Sequence, residues 1–320
     1  MKAIVYTKYG PTPEVLHLKE VEKPTPKDNE VLVKIYAASI NDGDKSMIRG
    51  KPFMVRLMGF GFLAPKHTIP GGDIAGRVES VGGNVSQFQP DDQVYGDIGA
   101  VGHRAFAEYV SVPENVLVPK PANLTYEEAA AVPQYALVAL QGLRDNGHIQ
   151  SGHKVLINGA SGGVGTFAVQ IAKSYGAEVT GVCSTKNLEL VRSIGANHVI
   201  DYTKEDFTQK EQRYDLILDS VANRPISDYT RRLSPEGNYV AVAFNLRALI
   251  TGGKQASQLS HEPNSEDLAY MKDLIEAGKV VPVIDKSYTL TEITEAFRYF
   301  EEDHPTGKVV ITVDHNTEAI

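Results

Sequence analysis

Gly152-His-Lys-Val-Leu-Ile-Asn-Gly-Ala-Ser-Gly-Gly-Val-Gly-Thr-Phe-Ala-Val-Gln-Ile-Ala-Lys173 runs from a short apolar stretch through a glycine-rich turn into a helical repeat. Val155, Leu156 and Ile157 form a compact β-rich run. After the turn, Val164, Ala168, Ile171, Ala172 and Tyr175 recur at the i, i+4, i+7, i+8, i+11 spacing of a helix face. Strand, turn and helix in that order suit a dinucleotide site. Ala160, Gly162 and Gly165 stand where G-x-G-x-x-G asks for three glycines. The second glycine lets the backbone approach a pyrophosphate, and the third lets the helix pack closely on the strand. The anion would rest on the helix N-terminus, at Ala160, Ser161, Gly162, Gly163, Val164 and Gly165, where unpaired N–H groups and the dipole favour it. A glycine-rich turn on its own also simply ends strands.

The match extends further than the turn. The string from Gly152 through Leu156, the Ala-Ser-Gly-Gly-Val-Gly turn, Gln170 and Lys173 resembles the signature of the quinone oxidoreductase branch of the medium-chain dehydrogenases/reductases. That resemblance implies an α/β chain with a GroES-like β-barrel domain and a Rossmann domain, the latter a doubly wound parallel sheet. Upstream, Asp91-Asp-Gln-Val-Tyr-Gly and Phe106-Ala-Glu-Tyr-Val are similar to the GroES-like part. Asp91 stands where the family usually has glycine, and aspartate tolerates such a turn.

A chain of 320 residues is long enough for two domains, each with its own core. The net charge of −8 is spread along the sequence, which argues against a nucleic-acid partner. Met1-Lys-Ala-Ile-Val-Tyr reads as a first strand rather than a leader, and no apolar run approaches the ~20 residues of a spanning helix. The expectation is a cytoplasmic protein. Cys183 is the single cysteine, so an intrachain disulfide and a cysteine-rich zinc lobe are both excluded. The nine histidines show no ligand spacing, and no metal is expected.

Alternating strands fill the first hundred residues, with Val31, Val33 and Ile35 marking the apolar face of the clearest one. Pro113, Pro119 and Pro121 punctuate a boundary, after which Thr125-Tyr-Glu-Glu128 forms a capping box and Pro133 restarts a helix. The spacing then predicts strands at Glu178 to Cys183, His198 to Ile200, Leu216 to Leu218 and Tyr239 to Val242, alternating with helices as in a parallel sheet. Ser265 opens a further helix that Gly278 stops, and strands return at Val281 to Tyr288 and Lys308 to Val313. In the family this tail rejoins the first domain. The expected division is 1–121 with 282–320, and 122–281 as the dinucleotide domain; the resemblance is loosest between Asn245 and Pro263.

The second strand of the dinucleotide domain runs into Ser184, Thr185 and Lys186, with no carboxylate from Val179 to Leu188. A 2′-phosphate would meet hydroxyls and an ammonium there, whereas NAD would lose its usual acidic ribose partner. The expected cofactor is NADP(H). Tyr202, after the third strand, stands where members of the branch often place an aromatic beside the adenine. Ser220 and Phe244 end the fourth and fifth strands, where crevice ligands of open α/β sheets bind. Ser39-Ile-Asn-Asp-Gly-Asp44 resembles the S-x-N-x-x-D of zinc-free relatives and takes the place of a first cysteine ligand; Gly72-Asp73 replaces His-Glu. Asn41 is the expected catalytic side chain, a neutral amide near the nicotinamide. Val138 stands where relatives usually have a threonine contacting the nicotinamide amide, and Tyr95, His103 and Lys66 are loose candidates for a proton donor. Leu57 to Leu63 lines an apolar substrate mouth or plugs a loop.

The resemblance implies a zinc-independent, NADPH-dependent reductase of quinones or of the C=C bond of α,β-unsaturated carbonyls, with a small apolar carbonyl substrate in a cleft between the two domains. An alcohol dehydrogenase and a non-catalytic NADPH-binding sensor stay open as alternatives. Relatives often dimerise, which leaves a homodimer open as well.

Overall fold

The computed structural model describes residues 1–53, 55–57, 61–242 and 255–315. These described residues form two compact units: those within 1–134, 263–276 and 284–315 in the first, and those within 135–242, 255–262 and 277–283 in the second.

In the first unit, strands Ile284–Thr289, Lys308–Thr312, Glu30–Ser39, Asp73–Val81, Gln93–Asp97 and Val118–Pro119 lie side by side in that order, and Tyr109–Pro113 also pairs with Glu30–Ser39. Glu30–Ser39 is central, so its second face is also largely covered: Leu32 is 5% exposed beside the fully buried Val31, Val33 and Ile35 of the expected apolar face, while Lys34 and Tyr36 are half-buried. The core joins these valines and Ile35 to Ile74, Val94, Phe106, Phe297 and Val309. Asp91 takes φ 76, the left-handed turn that its position requires.

The units divide at Gln134/Tyr135 rather than at 121/122, and the helix Ser265–Glu276 falls in the first unit rather than with the dinucleotide sheet. Hydrogen bonds account for this. Tyr95 Oη donates to the Leu268 carbonyl at 2.9 Å, Asn123 Nδ2 to the Ile275 carbonyl at 3.0 Å, and the Ala122 N–H to Glu276 Oε1 at 3.0 Å. The helix Tyr126–Ala130 begins on the expected box: Glu128 N–H donates to Thr125 Oγ1 at 3.2 Å and Thr125 N–H to Glu128 Oε2 at 2.8 Å.

The second unit is a parallel sheet in the order His198–Asp201, Glu178–Cys183, Lys154–Asn158, Tyr214–Asp219, Leu233–Ala241, Ala256–Gln258. Numbered along the chain this is 3-2-1-4-5-6, the order of dinucleotide sheets, in which ligands bind where the order reverses. The reversal lies between Lys154–Asn158 and Tyr214–Asp219, with Asn158 opposite Asp219. Each expected strand is present, though the one expected at Tyr239 to Val242 runs Leu233–Ala241, and the short Ala256–Gln258 is an additional one. The helix Gly163–Ser174 is buried on every side from Gly165 to Ala172, not on one face as its periodicity suggests. Gln170 is tolerated inside it because Nε2 donates to the Thr166 and Val281 carbonyls and Oε1 accepts the Val281 N–H.

Candidate functional site

The glycine turn leaves the carboxyl end of Lys154–Asn158 and enters the helix Gly163–Ser174 with Gly162 as N-cap. Gly159 takes the left-handed conformation, φ +84, so alanine at position 160 removes no freedom that the turn uses. Ala160 is fully buried and its N–H is committed to the Val182 carbonyl at 3.0 Å; it anchors the turn to the second strand and has no amide to offer an anion. A Cβ on Gly165 would lie 2.0 Å from the Gly159 oxygen, so the helix approaches the strand as closely as only glycine permits. At Gly162 a Cβ would meet only the Gly159 oxygen, at 3.5 Å, which leaves the backbone open to approach. The amides of Gly163 and Val164 belong to the first helical turn, which has no intrahelical acceptor for them. Ser161 is held beside them, its Oγ accepting from Asn187 Nδ2 at 2.9 Å. This cradle fits a dinucleotide pyrophosphate.

Ser184, Thr185 and Lys186 follow the second strand, the last two exposed. Lys186 makes no hydrogen bond or ion pair among the described residues. Thr185 Oγ1 donates to Asp201 Oδ2 at 2.5 Å, and Thr203 donates to Asp201 Oδ1 through both Oγ1 and N–H, at 2.7 and 3.0 Å. These bonds, Thr185 foremost, hold the Asp201 carboxyl down to about 2. This carboxylate lies outside residues 179–188 because it arrives on the neighbouring strand, opposite Cys183. Its oxygens are engaged by the two threonines and by Lys204 Nζ, 3.6 Å from Oδ2. Tyr202 is 60% exposed, with its N–H on the Cys183 carbonyl.

At the reversal of strand order, Ser220 is pinned: its Oγ and N–H both donate to the Asn158 carbonyl, at 2.8 and 3.2 Å. Fully buried Asp219 accepts from Asn158 Nδ2 and Tyr239 Oη, both at 2.8 Å, and from the amides of Val221 and Ala222, both at 3.0 Å. The carboxylate therefore shapes the loop that faces Gly159. Phe244 lies outside the described residues, as do Met58 to Phe60 of the apolar stretch.

The S-x-N-x-x-D pattern of the first unit proves to be a helix start. Asn41 is the N-cap of Asp42–Arg49, and its N–H donates to Asp44 Oδ2 at 2.9 Å. Around it lies a polar cluster that sequence reasoning did not assemble. Asp73 Oδ2 accepts from Ser39 Oγ at 3.0 Å, Asn41 Nδ2 at 3.0 Å and Lys308 Nζ at 3.3 Å, while Oδ1 accepts the Gln134 N–H at 3.0 Å. Lys308 Nζ also donates to Asn41 Oδ1 at 2.5 Å and to the Ile40 carbonyl at 3.4 Å. Four donors on one carboxyl and three acceptors on one amine describe a carboxylate and an ammonium. Burial pushes Asp73 up and Lys308 down, and each opposes the shift of the other. Asp44 is pushed up to about 7, by burial foremost, against the pull of the Asn41 N–H. Asn41 is 1% exposed, and one of its amide hydrogens has no acceptor among the described residues. In Lys308 the only signal was a charged residue opening an apolar strand, which a solvated edge lysine shows equally.

Among the proton-donor candidates, Tyr95 is fully buried with its hydroxyl on Leu268. His103 is pushed down to about 4, by burial foremost, which leaves its ring neutral at pH 7. Lys66 is exposed.

The residues do not fit zinc. The oxygens at the expected ligand positions are already bound to an ammonium. Burial, foremost, pushes the Cys183 thiol up to about 11, away from the thiolate that a metal needs. Among the described residues no group of three or more His, Cys, Asp or Glu side chains could hold a metal ion. No helix among them is long and apolar enough to cross a membrane.

Family profiles match two stretches: one described as zinc-binding dehydrogenase covers residues 194–311, and one described as alcohol dehydrogenase GroES-like domain covers residues 27–122. The 2-methylene-furan-3-one reductase of Solanum lycopersicum is 38% identical over 97% of this chain and 79% of its own length. The chloroplastic NADPH-dependent alkenal/one oxidoreductase of Arabidopsis thaliana is 34% identical, with the same coverage of 97% and 79%. The solved structure of the quinone oxidoreductase from Coxiella burnetii superposes with a TM-score of 0.89 at 30% identity, over 98% of this chain and 99% of that one. Similarity along almost the whole length, on a GroES-like unit and a 3-2-1-4-5-6 sheet, means that this chain belongs to the zinc-independent, quinone oxidoreductase-like branch of the medium-chain dehydrogenase/reductase superfamily.

Proposed function

We propose that this chain is an NADPH-dependent oxidoreductase that reduces quinones or the C=C bond of α,β-unsaturated carbonyls. The observation that carries the reading is the ammonium of Lys308 seated on Asn41 and Asp73, where zinc-dependent members of the superfamily place metal ligands. Reduction of an isolated ketone builds a localised alkoxide, which a Lewis-acidic metal normally stabilises. Hydride addition to an enone or quinone instead leaves a delocalised enolate or phenolate, for which a neutral hydrogen-bond donor suffices until the anion takes its proton from water. The relatives named as an alkenal/one oxidoreductase and a furanone reductase support the same substrate class.

When bound, NADPH supplies the hydride. The protein's own residues bind and orient. The Gly163 and Val164 amides and the helix N-terminus take the pyrophosphate; Ser184 and Lys186 take the 2′-phosphate, with Thr185 turned toward Asp201; Tyr202 presents a flat face to the adenine. Gly159 and Ser220 shape the backbone where the sheet order reverses. Asn41 offers its remaining amide hydrogen to the oxygen that gains charge. Cytoplasmic residence completes the reading, and cell fractionation checks it; sedimentation decides between a monomer and a homodimer.

A panel of quinones, enones, alkenals and simple alcohols, assayed with NADP(H) and NAD(H), tests it. Turnover of a quinone or an enone with NADPH is expected. Efficient oxidation of primary or secondary alcohols, with every quinone and enone left untouched, would overturn the reading.

A further inference from the structure

We propose that Lys308 is the positioning residue for Asn41, its ammonium fixing the amide in one orientation so that the remaining N–H is held for the substrate oxygen. The inference rests on the role given to Asn41 above. The two ends of an amide have nearly the same shape, so packing alone does not choose between them. Here the choice is electrostatic: Oδ1 meets an ammonium at 2.5 Å and Nδ2 meets a carboxylate at 3.0 Å. A flipped amide would set N–H donors against the ammonium and a carbonyl against the carboxylate. The ammonium is held in place, because the Lys308 side chain is 0% exposed and its Nζ reaches Asn41 Oδ1, Asp73 Oδ2 and the Ile40 carbonyl. The cation also draws electron density toward Oδ1, which makes the opposite N–H a stronger donor.

A purely structural role would make Lys308 the counter-ion of Asp73 and nothing more. Three full-length variants separate the two roles: Lys308→Met with Asp73→Asn, which removes both buried charges together; Asn41→Ala; and the triple combination. If Lys308 positions Asn41, the charge-free pair keeps NADPH affinity and melting temperature near those of the parent protein while kcat falls about tenfold or more, the size of one charge-assisted hydrogen bond. The triple variant then loses no more than Asn41→Ala alone. A charge-free pair with parental kcat, or losses that multiply in the triple variant, would overturn the proposal.

A second measurement needs no turnover. In ¹⁵N-labelled protein, the Asn41 side-chain amide hydrogens should exchange with solvent more slowly in the parent than in the charge-free pair. Equal exchange in the two would overturn the positioning role, whereas absence of turnover with any quinone or enone would overturn the substrate reading and leave this measurement standing.

Discussion

Lys186 and Asp44 each concentrate a testable property in one side chain. Lys186 is exposed and free of partners among the described residues, beside a strand end whose one carboxylate is occupied by threonines. Charge-assisted hydrogen bonds contribute roughly 1.5 to 3 kcal/mol, so Lys186→Ala should weaken NADPH by about tenfold or more and leave NADH nearly unchanged. Fluorescence titration of both cofactors checks this, and equal losses would mean that the lysine does not read the phosphate. Asp44 makes a pH-dependent contribution. Its folded value of about 7 lies above the ordinary 3.8, so the unfolded chain releases the proton first. The stabilisation is therefore complete below about pH 4 and is lost as pH rises toward 7. Asp44→Asn keeps an oxygen for the Asn41 N–H and cannot ionise. It should melt above the parent protein at pH 8 by about 1 kcal/mol or more and lose that advantage at pH 4, since one pKa unit corresponds to about 1.4 kcal/mol. Thermal melts at the two pH values decide it; an equal loss at both would contradict the burial argument.

The strand–turn–helix element gives its two glycines different duties, and alanine separates them. At Gly165 the new Cβ would lie 2.0 Å from the Gly159 oxygen, so helix and strand must move apart. Overpacking of this kind costs about 1 to 3 kcal/mol, and Gly165→Ala should lower the melting temperature together with NADPH affinity. At Gly162 the nearest atom would be 3.5 Å away and φ is −81, so Gly162→Ala should melt like the parent protein. Its NADPH affinity should nevertheless fall, because the methyl group stands where the pyrophosphate approaches. Calorimetry beside cofactor titration would show whether the two variants differ in this way; identical behaviour would count against separate roles. The helix itself is a reminder that periodicity reports a stripe, whereas burial depends on what surrounds the element. Gly165 to Ala172 are enclosed on all sides, and Gln170 lies inside because its amide finds three backbone partners.

At the scale of the molecule, the residues at the expected ligand positions make a statement about chemistry. Cys183 is the single cysteine, and the oxygens of Asn41 and Asp73 already hold an ammonium. Quinone or enone reduction should therefore survive a strong chelator, and elemental analysis of the active protein should find zinc well below one per chain. Stoichiometric zinc with activity lost to the chelator would refute the metal-free reading. The first unit builds this cluster from three distant stretches, residues 39–44, Asp73 and Lys308, which the strands Glu30–Ser39, Asp73–Val81 and Lys308–Thr312 bring side by side.

The features legible in the linear chain are those whose causes lie within a few residues. The glycine turn, the Thr125–Glu128 box, the left-handed Asp91 and the strand–helix alternation each depend on local backbone preference and short periodicity. Even there, Gly159 rather than position 160 carries the positive φ, because the turn's hydrogen bonds to Val182 choose the residue. The rest was decided by folding. Asp201 reaches Thr185 only because two strands run parallel in register, and Ala256–Gln258 is a strand only because Leu233–Ala241 offers it an edge. Lys308 meets Asn41 across 267 positions of sequence. No local pattern encodes such a contact: the lysine is identical to a solvated one until the sheet closes around it, and burial then leaves Asn41, Asp73 and the Ile40 carbonyl to satisfy its charge.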